Sequence, residues 1–189
     1  MESSFVRKLS EEIRLFPYLN YYPTIGENVF LASGVKIIGN VEIGNNSSVW
    51  YNSVIRGDVH FIKIGESTNI QDSSMLHVTN GKYPLNVGNK VTIGHSVSLH
   101  GCTLNDLCLI GIGAIILDGA IIESNSMVAA GALVKQNFVV PSGKLVAGVP
   151  AKIIRNLTDE EILDFEESAK RYVEYSLITE KSFTDKINK

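Results

Sequence analysis

At 189 residues with 44% hydrophobic side chains, the chain is long enough to bury one large core and reads as a single globular unit. Its 17 basic and 20 acidic residues leave a net charge of −3 with no cluster of Lys or Arg, which excludes the basic patch that nucleic-acid binding requires. No stretch approaches the ~20 apolar residues of a membrane span, Glu11, Glu12 and Arg14 interrupt any signal-like start, and two cysteines are too few for a disulfide framework, so a cytoplasmic protein with neither nucleic-acid nor membrane partner is expected.

Residues 1–24 read as an extended N-terminal arm, packing through Phe16, Tyr18, Tyr21 and Tyr22 around Pro17 and Pro23. From Ile25 onward an aliphatic residue returns at every sixth position. The first run is Ile25, Leu31, Ile37, Ile43, Val49 and Ile55; shorter runs follow at Ile64, Ile70, Leu76 and at Val87, Ile93, Leu99; the last goes from Leu104 through Ile110, Ile116, Ile122 and Val128 to Val134. Four residues after each, a small or β-branched residue usually stands, as at Ser53, Ser74, Val97, Cys108 and Ala120, with Asn80 and Phe138 as exceptions.

A six-residue period is neither helical nor a simple alternating strand, and internal repetition of this kind predicts a β-solenoid whose short strands depend on their neighbours for burial. Three hexads make one triangular coil, so residues 25–150 are expected to form about six coils. Pairs such as Ile43-Gly44, Ile64-Gly65, Val87-Gly88 and Ile110-Gly111 mark the corners. Glycine and asparagine there (Asn28, Asn40, Asn45, Asn46, Asn89, Asn125) are expected to supply positive φ. Cys102 and Cys108 fall on the repeat and read as small coil residues.

Three of the four histidines occupy fixed phases of this frame. With Ile43, Ile64 and Val87 beginning the first side of successive coils, Ile55, Leu76 and Leu99 begin the third. Arg56, His77 and His100, each one residue later, then stack on one outward edge. Adjacent strands lie ~4.8 Å apart, and two nitrogens bound to one tetrahedral zinc are roughly 3.3 Å apart, so His77 and His100 can converge on one ion. His95 sits five residues before His100, about 16 Å away along extended chain, and joins them only from a second subunit. The spacing therefore predicts an intersubunit site of His77, His95 and His100, and triangular prisms pack most simply as a cyclic homotrimer. His60 is outward-facing and reads as a solvated residue.

After a connector from residue 151, TDEEILDFEESAKRYVEY predicts a helix of about eighteen residues, with a Thr158–Glu161 capping box and an acidic first turn. Ile162, Phe165, Ala169 and Tyr172 or Val173 share its apolar face, which is expected to cover the solenoid or a neighbouring subunit. Tyr172 can reach the pocket as a hydroxyl donor, unless Tyr175 takes that part or the ring simply packs. The connector and helix fill 151–178, and 179–189 is expected to fray.

The stretch VWYNSVIRGDVHFIKIGESTNIQDSSMLHV, with VTIGHSVSLHGC and LVAGVPAKIIRNLT after it, resembles the γ-class carbonic anhydrase family of hexapeptide-repeat proteins, from about Pro23 to Tyr175. That resemblance implies a left-handed parallel β-helix, an all-β solenoid with a C-terminal helix, assembled as a homotrimer with metal between subunits. It implies His77, His95 and His100 as metal ligands, Arg56 and Asp58 as an interface ion pair, Gln71 as the residue holding the metal-bound water, and Asp72 as its charged neighbour. Asp72 either steers Arg56 or stabilises a turn; Arg56 with Asp58 is either an anion stop or structural glue; Gln71 either orients hydroxide or caps a corner.

Three neutral imidazoles leave a Zn2+ ion, or Fe2+ or Co2+, an open position for water whose pKa falls to about 7, and the resulting hydroxide can attack carbon dioxide to give bicarbonate. Longer members of the family carry an acidic proton-relay loop; here Val59-His60-Phe61 and a short HVTNGKYPLNVG link stand instead, which implies slower turnover unless His60 takes that part. Hexapeptide solenoids also serve acyltransferases that use acetyl-coenzyme A, and the LVAGVPAK segment is common to both groups. The same fold would equally suit a CoA-thioester hydrolase or a zinc-stabilised scaffold trimer. Three clustered histidines weigh against a transferase with a single general base.

Overall fold

The computed structural model describes residues 14–187, with side chains through residue 183, so the first thirteen residues of the expected arm lie outside the described residues. The chain winds as a parallel β-solenoid of about seven turns with one C-terminal helix. Each turn contributes a short strand to each of three faces. On the first face, Ile25, Ile43, Ile64, Val87, Leu104, Ile122 and Val140 stand in register. The second stacks Leu31, Val49, Ile70, Ile93, Ile110, Val128 and Val146. The third stacks Leu15, Ile37, Ile55, Leu76, Leu99, Ile116 and Val134.

Every aliphatic position of the six-residue repeat thus falls on a stack, and all but Ile25 and Leu31, in the first coil, are buried. The turn count exceeds six because strands outside the repeat extend the prism at both ends. Leu15–Phe16 pairs in parallel with Ile37–Ile38, and Lys144–Ala147 continues the second face. The arm therefore adds a rung through its backbone, with Leu15 against the core, while Tyr18, Tyr21 and Tyr22 are exposed rather than packed.

The corners differ from expectation in an instructive way. Asn28, Asn46 and Asn125 do adopt positive φ, but Asn40, Asn45 and Asn89 do not. The Oδ1 atoms of Asn45 and Asn89 instead accept the backbone N–H of Glu27 and Glu66 in the neighbouring coil, at 2.8 Å each. Corner glycines such as Gly65 and Gly111 also lack positive φ; a Cβ on Gly65 would meet the Gly88 backbone at 2.6 Å, and one on Gly111 the Ala130 nitrogen at 2.4 Å. They are glycine because successive coils touch there.

After Lys152–Asn156 pairs antiparallel with Lys144–Ala147, helix α1 runs from Asp159 to Ile187. Its capping box forms as expected: Thr158 N–H donates to Glu161 Oε2 at 2.9 Å, and Glu161 N–H to Thr158 Oγ1 at 3.2 Å. The helix is longer than the expected eighteen residues, since 179–187 continue it instead of fraying. Phe165 and Ala169 are buried as the helix lies along the second face of its own solenoid. That face carries Ser48, Asn69 and Thr92 beneath it, buried polar residues matched by Thr92 Oγ1 to Ser168 Oγ at 3.1 Å and Lys90 to Glu166 at 2.7 Å. No helix among the described residues is long and apolar enough to cross a membrane.

Candidate metal centre

The third face carries histidines at both ends. Strands Met75–His77 and Ser98–His100 are hydrogen-bonded neighbours with His77 directly opposite His100. One coil of eighteen residues plus the five-residue insertion near Asn80 accounts for their separation in sequence, and their rings end up with His77 Nδ1 3.1 Å from His100 Nε2.

The other nitrogen of each ring meets a carboxylate. His77 Nε2 lies 3.0 Å from Asp58 Oδ1, and His100 Nδ1 lies 2.7 Å from Asp118 Oδ1. An ionised carboxylate only accepts, so both protons belong on the outer nitrogens and both lone pairs converge. Two lone pairs so close repel unless a proton or cation lies between them. The spacing matches the roughly 3.3 Å expected for two ligands of one tetrahedral zinc, and carboxylate-backed imidazoles are the usual metal donors. The pair fits a divalent metal.

Asp58 also pairs with Arg56. Burial pushes the Asp58 carboxyl up, but hydrogen bonds from His77 and Arg56 outweigh it and hold the group below the ordinary carboxylate range. His77 is shifted down, chiefly by burial and further by the charges of Arg56 and His100, against the hydrogen bond it donates to Asp58. A depressed imidazole is the neutral, metal-competent form.

His95 stands in the turn before Ser98–His100, at the opposite end of the third face. Among the described residues no group of three His, Cys, Asp or Glu side chains is placed to hold a metal within one protomer. His95 Nδ1 pairs with Asp72 Oδ2 at 2.8 Å, leaving Nε2 free, and Asp72 Oδ1 accepts Tyr51 N–H at 3.0 Å. Asp72 therefore holds a histidine and a turn. Within the same protomer Arg56 stands at the opposite corner, paired with Asp58.

Around His95 opens a cleft of about 370 Å³ lined by Trp50, Tyr51, Gln71, Asp72, Tyr172, Tyr175, Ile178 and Thr179. Gln71 is buried; its Nε2 donates to Asn69 Oδ1 at 3.2 Å, and Asn69 Nδ2 donates to Thr92 Oγ1 at 3.0 Å. This chain of amides fixes Gln71 with its carbonyl oxygen as the atom left over. Tyr172 packs edge-on against both Trp50 and Tyr175, at 5.7 Å between ring centroids in each case. Burial first, then the Asp72 charge, push its hydroxyl above the ordinary value, so it stays a neutral donor.

His60 lies at the third-to-first corner as a half-buried residue, Nδ1 accepting Phe61 N–H at 2.9 Å, rather than a solvated one. Sequence reasoning missed Asp118, Asn69 and Trp50. The signal for Asp118 was available, since it stands one coil of eighteen residues after His100.

Residues 22–57 match the bacterial transferase hexapeptide (six repeats) family. The chain is 46% identical over 175 residues to γ carbonic anhydrase 2 of Arabidopsis thaliana mitochondria, covering 90% of this chain but only 63% of the plant protein's length. It is 48% identical over 160 residues to a carbonic anhydrase of Geobacillus kaustophilus, covering 85% of this chain and 87% of that one. A crystal structure of a hexapeptide transferase family protein from Anaplasma phagocytophilum superposes with a TM-score of 0.81 at 45% identity, covering 86% of this chain and 96% of that one. The solenoid is accordingly the left-handed parallel β-helix of hexapeptide-repeat proteins. With the Geobacillus kaustophilus protein matched along 87% of its length, and with the histidine-bearing coils inside the matched region, the chain belongs to the γ-class carbonic anhydrase family.

Proposed function

We propose that this protein is a homotrimeric, metal-dependent carbonic anhydrase in which His77 and His100 of one subunit and His95 of the next hold a single divalent ion. The observation that carries the reading is the division of the third face: two converging imidazoles at one end and one carboxylate-held imidazole with a free Nε2 at the other. A cyclic trimer brings unlike ends together three times. The row between them, Val54, Met75, Ser98, Ile115 and Leu133 in register, supports that contact, because Met75 and Ile115 are exposed apolar side chains on a flat strand face.

Zinc is the proposed metal, and iron(II) or cobalt(II) would accept the same imidazole donors. When bound, it supplies a Lewis acid that makes water nucleophilic near neutral pH. The carbonyl oxygen of Gln71 accepts a hydrogen bond from the attacking water, turning the oxygen's free lone pair toward carbon dioxide, and the proton given up as bicarbonate forms passes to solvent at the open cleft. Trp50, Tyr172 and Ile178 provide apolar walls for an apolar substrate. The Tyr172 hydroxyl donates to the oxygens of the forming bicarbonate, and Arg56, held by Asp58, offers the product anion a stop on its way out. Two buried unpaired thiols suit the cytoplasm proposed for it.

The test uses zinc-loaded and anaerobically iron-loaded protein in stopped-flow hydration assays, together with mixtures of His95→Ala and His100→Ala chains. Each variant alone should lose metal while remaining folded, and the mixture should regain a fraction of the sites and of the activity. A mixture that recovers neither refutes the shared site. Trimers that stay metal-free and inactive on carbon dioxide, yet transfer or hydrolyse acyl groups from CoA, refute the hydratase reading.

A further inference from the structure

We infer that Asp118, steadied by Thr79, is a positioning residue that sets which nitrogen of His100 is free to bind the ion; the inference rests on His100 being a ligand of the proposed site. The Asp118 carboxylate meets His100 Nδ1 at 2.7 Å, and Thr79 Oγ1 lies 3.1 Å from each of its two oxygens. Thr79 stands at the start of the insertion that separates the two histidine-bearing coils, and it bridges back to Tyr83 across that loop. The insertion thus folds over the corner and places a hydroxyl against a carboxylate 39 residues away in sequence.

The carboxylate is confined on its remaining side as well. A Cβ on Gly101 would come within 2.3 Å of Asp118 Oδ1 and within 2.7 Å of the Tyr83 Cβ. No side chain other than hydrogen at position 101 leaves room for the acid to tuck under the coil that carries His100. The Thr79 hydroxyl on one side and the space left by Gly101 on the other hold the carboxylate in place, and an acceptor-only group held there keeps the proton on Nδ1 and the lone pair on Nε2.

His77 is held in the opposite sense, by Asp58 through Nε2. The two imidazoles consequently present unlike nitrogens, Nδ1 from His77 and Nε2 from His100, which is how rings on in-register strands turn their lone pairs toward each other instead of side by side.

The experiment compares wild type with Asp118→Asn and Thr79→Val. Long-range proton–nitrogen correlation on metal-free, ¹⁵N-histidine-labelled protein at about pH 8, above the ordinary imidazole pKa of ~6.5, reads the tautomer of His100. Zinc dissociation constants from chelator competition read the consequence. Wild type should show His100 protonated at Nδ1; Asp118→Asn should show a mixture with Nε2–H and bind zinc about 10- to 100-fold more weakly, and Thr79→Val should fall between.

Retention of the Nδ1–H form in Asp118→Asn, with zinc affinity within about twofold of wild type, overturns the inference. Should that variant not fold, an unchanged tautomer and affinity in Thr79→Val overturns it. A wild-type protein that binds zinc and shows these shifts but does not hydrate carbon dioxide sinks only the hydratase reading.

Discussion

His77 and His100 face each other across one rung of the solenoid, 3.1 Å apart at the ring nitrogens although 23 residues apart in sequence. Replacing His77 by Ala removes one of the two converging donors without touching the core, since Leu76 beside it is the residue that points inward. Metal content measured by mass spectrometry should fall to near zero. The thermal transition of metal-free His77→Ala should fall only a few degrees below metal-free wild type, the cost of about 1 kcal/mol for losing the half-buried hydrogen bond to Asp58.

The corner glycines separate two costs that are usually mixed. Gly65→Ala drives a methyl group into the Gly88 backbone at 2.6 Å, whereas Gly113→Ala meets nothing within 4 Å but must hold φ at +69°. Urea unfolding should show Gly113→Ala destabilised by about 1 kcal/mol, the cost of a left-handed alanine. Gly65→Ala should lose about 3 kcal/mol or more, because two backbones cannot separate without disturbing neighbouring rungs.

Cys102 and Cys108 are fully enclosed, and burial pushes both thiols up to about 12. Neither should react with a thiol-specific disulfide reagent at pH 8 in the native state, and both should react once denaturant opens the coils. Reaction of one equivalent in native protein would contradict the packing.

Acid should loosen the start of α1. The hydrogen bonds from Arg155, then from the Thr158 backbone, hold Glu161 down to about 2. A carboxylate lowered in the folded state contributes stability that is complete above its ordinary value near 4.5 and is lost as pH falls toward 2. Trp50, the chain's one tryptophan, packs on Tyr172 of the helix and reports docking by fluorescence. Glu161→Gln should remove the fluorescence change between pH 4.5 and 2 that belongs to this contact, and high salt should shrink it in wild type because the pair is exposed.

The prism itself was legible because each side carries one inward aliphatic residue, so each of the stacks could be written down from Ile25 to Val134 once the phase shifts after Val59, near Asn80 and after Thr103 were allowed for. The separation of His95 from His77 and His100 was legible for the same reason, being a matter of rise per residue. What escaped were side-chain directions at corners. Asp72 and Asp118 sit beside turns whose positive-φ residues, Ser73 and Gly119, swing the chain in ways the repeat does not encode. Asn45 and Asn89 resembled turn formers by type, yet they serve as acceptors for the preceding coil. The helix overran its expected end because apolar spacing weakens after Tyr175, while helical propensity carries the backbone on to Ile187.

The capped start of α1 and the cleft wall belong to one rigid rod. From Glu161 to Thr179 the helix rises about 27 Å, pinned by Arg155 at the near end and carrying Tyr172, Tyr175, Ile178 and Thr179 into the cleft at the far end. A tilt of a few degrees at the pin sweeps the far end by an ångström or more, so substitutions near Arg155 can alter the shape of a distant chamber they never contact.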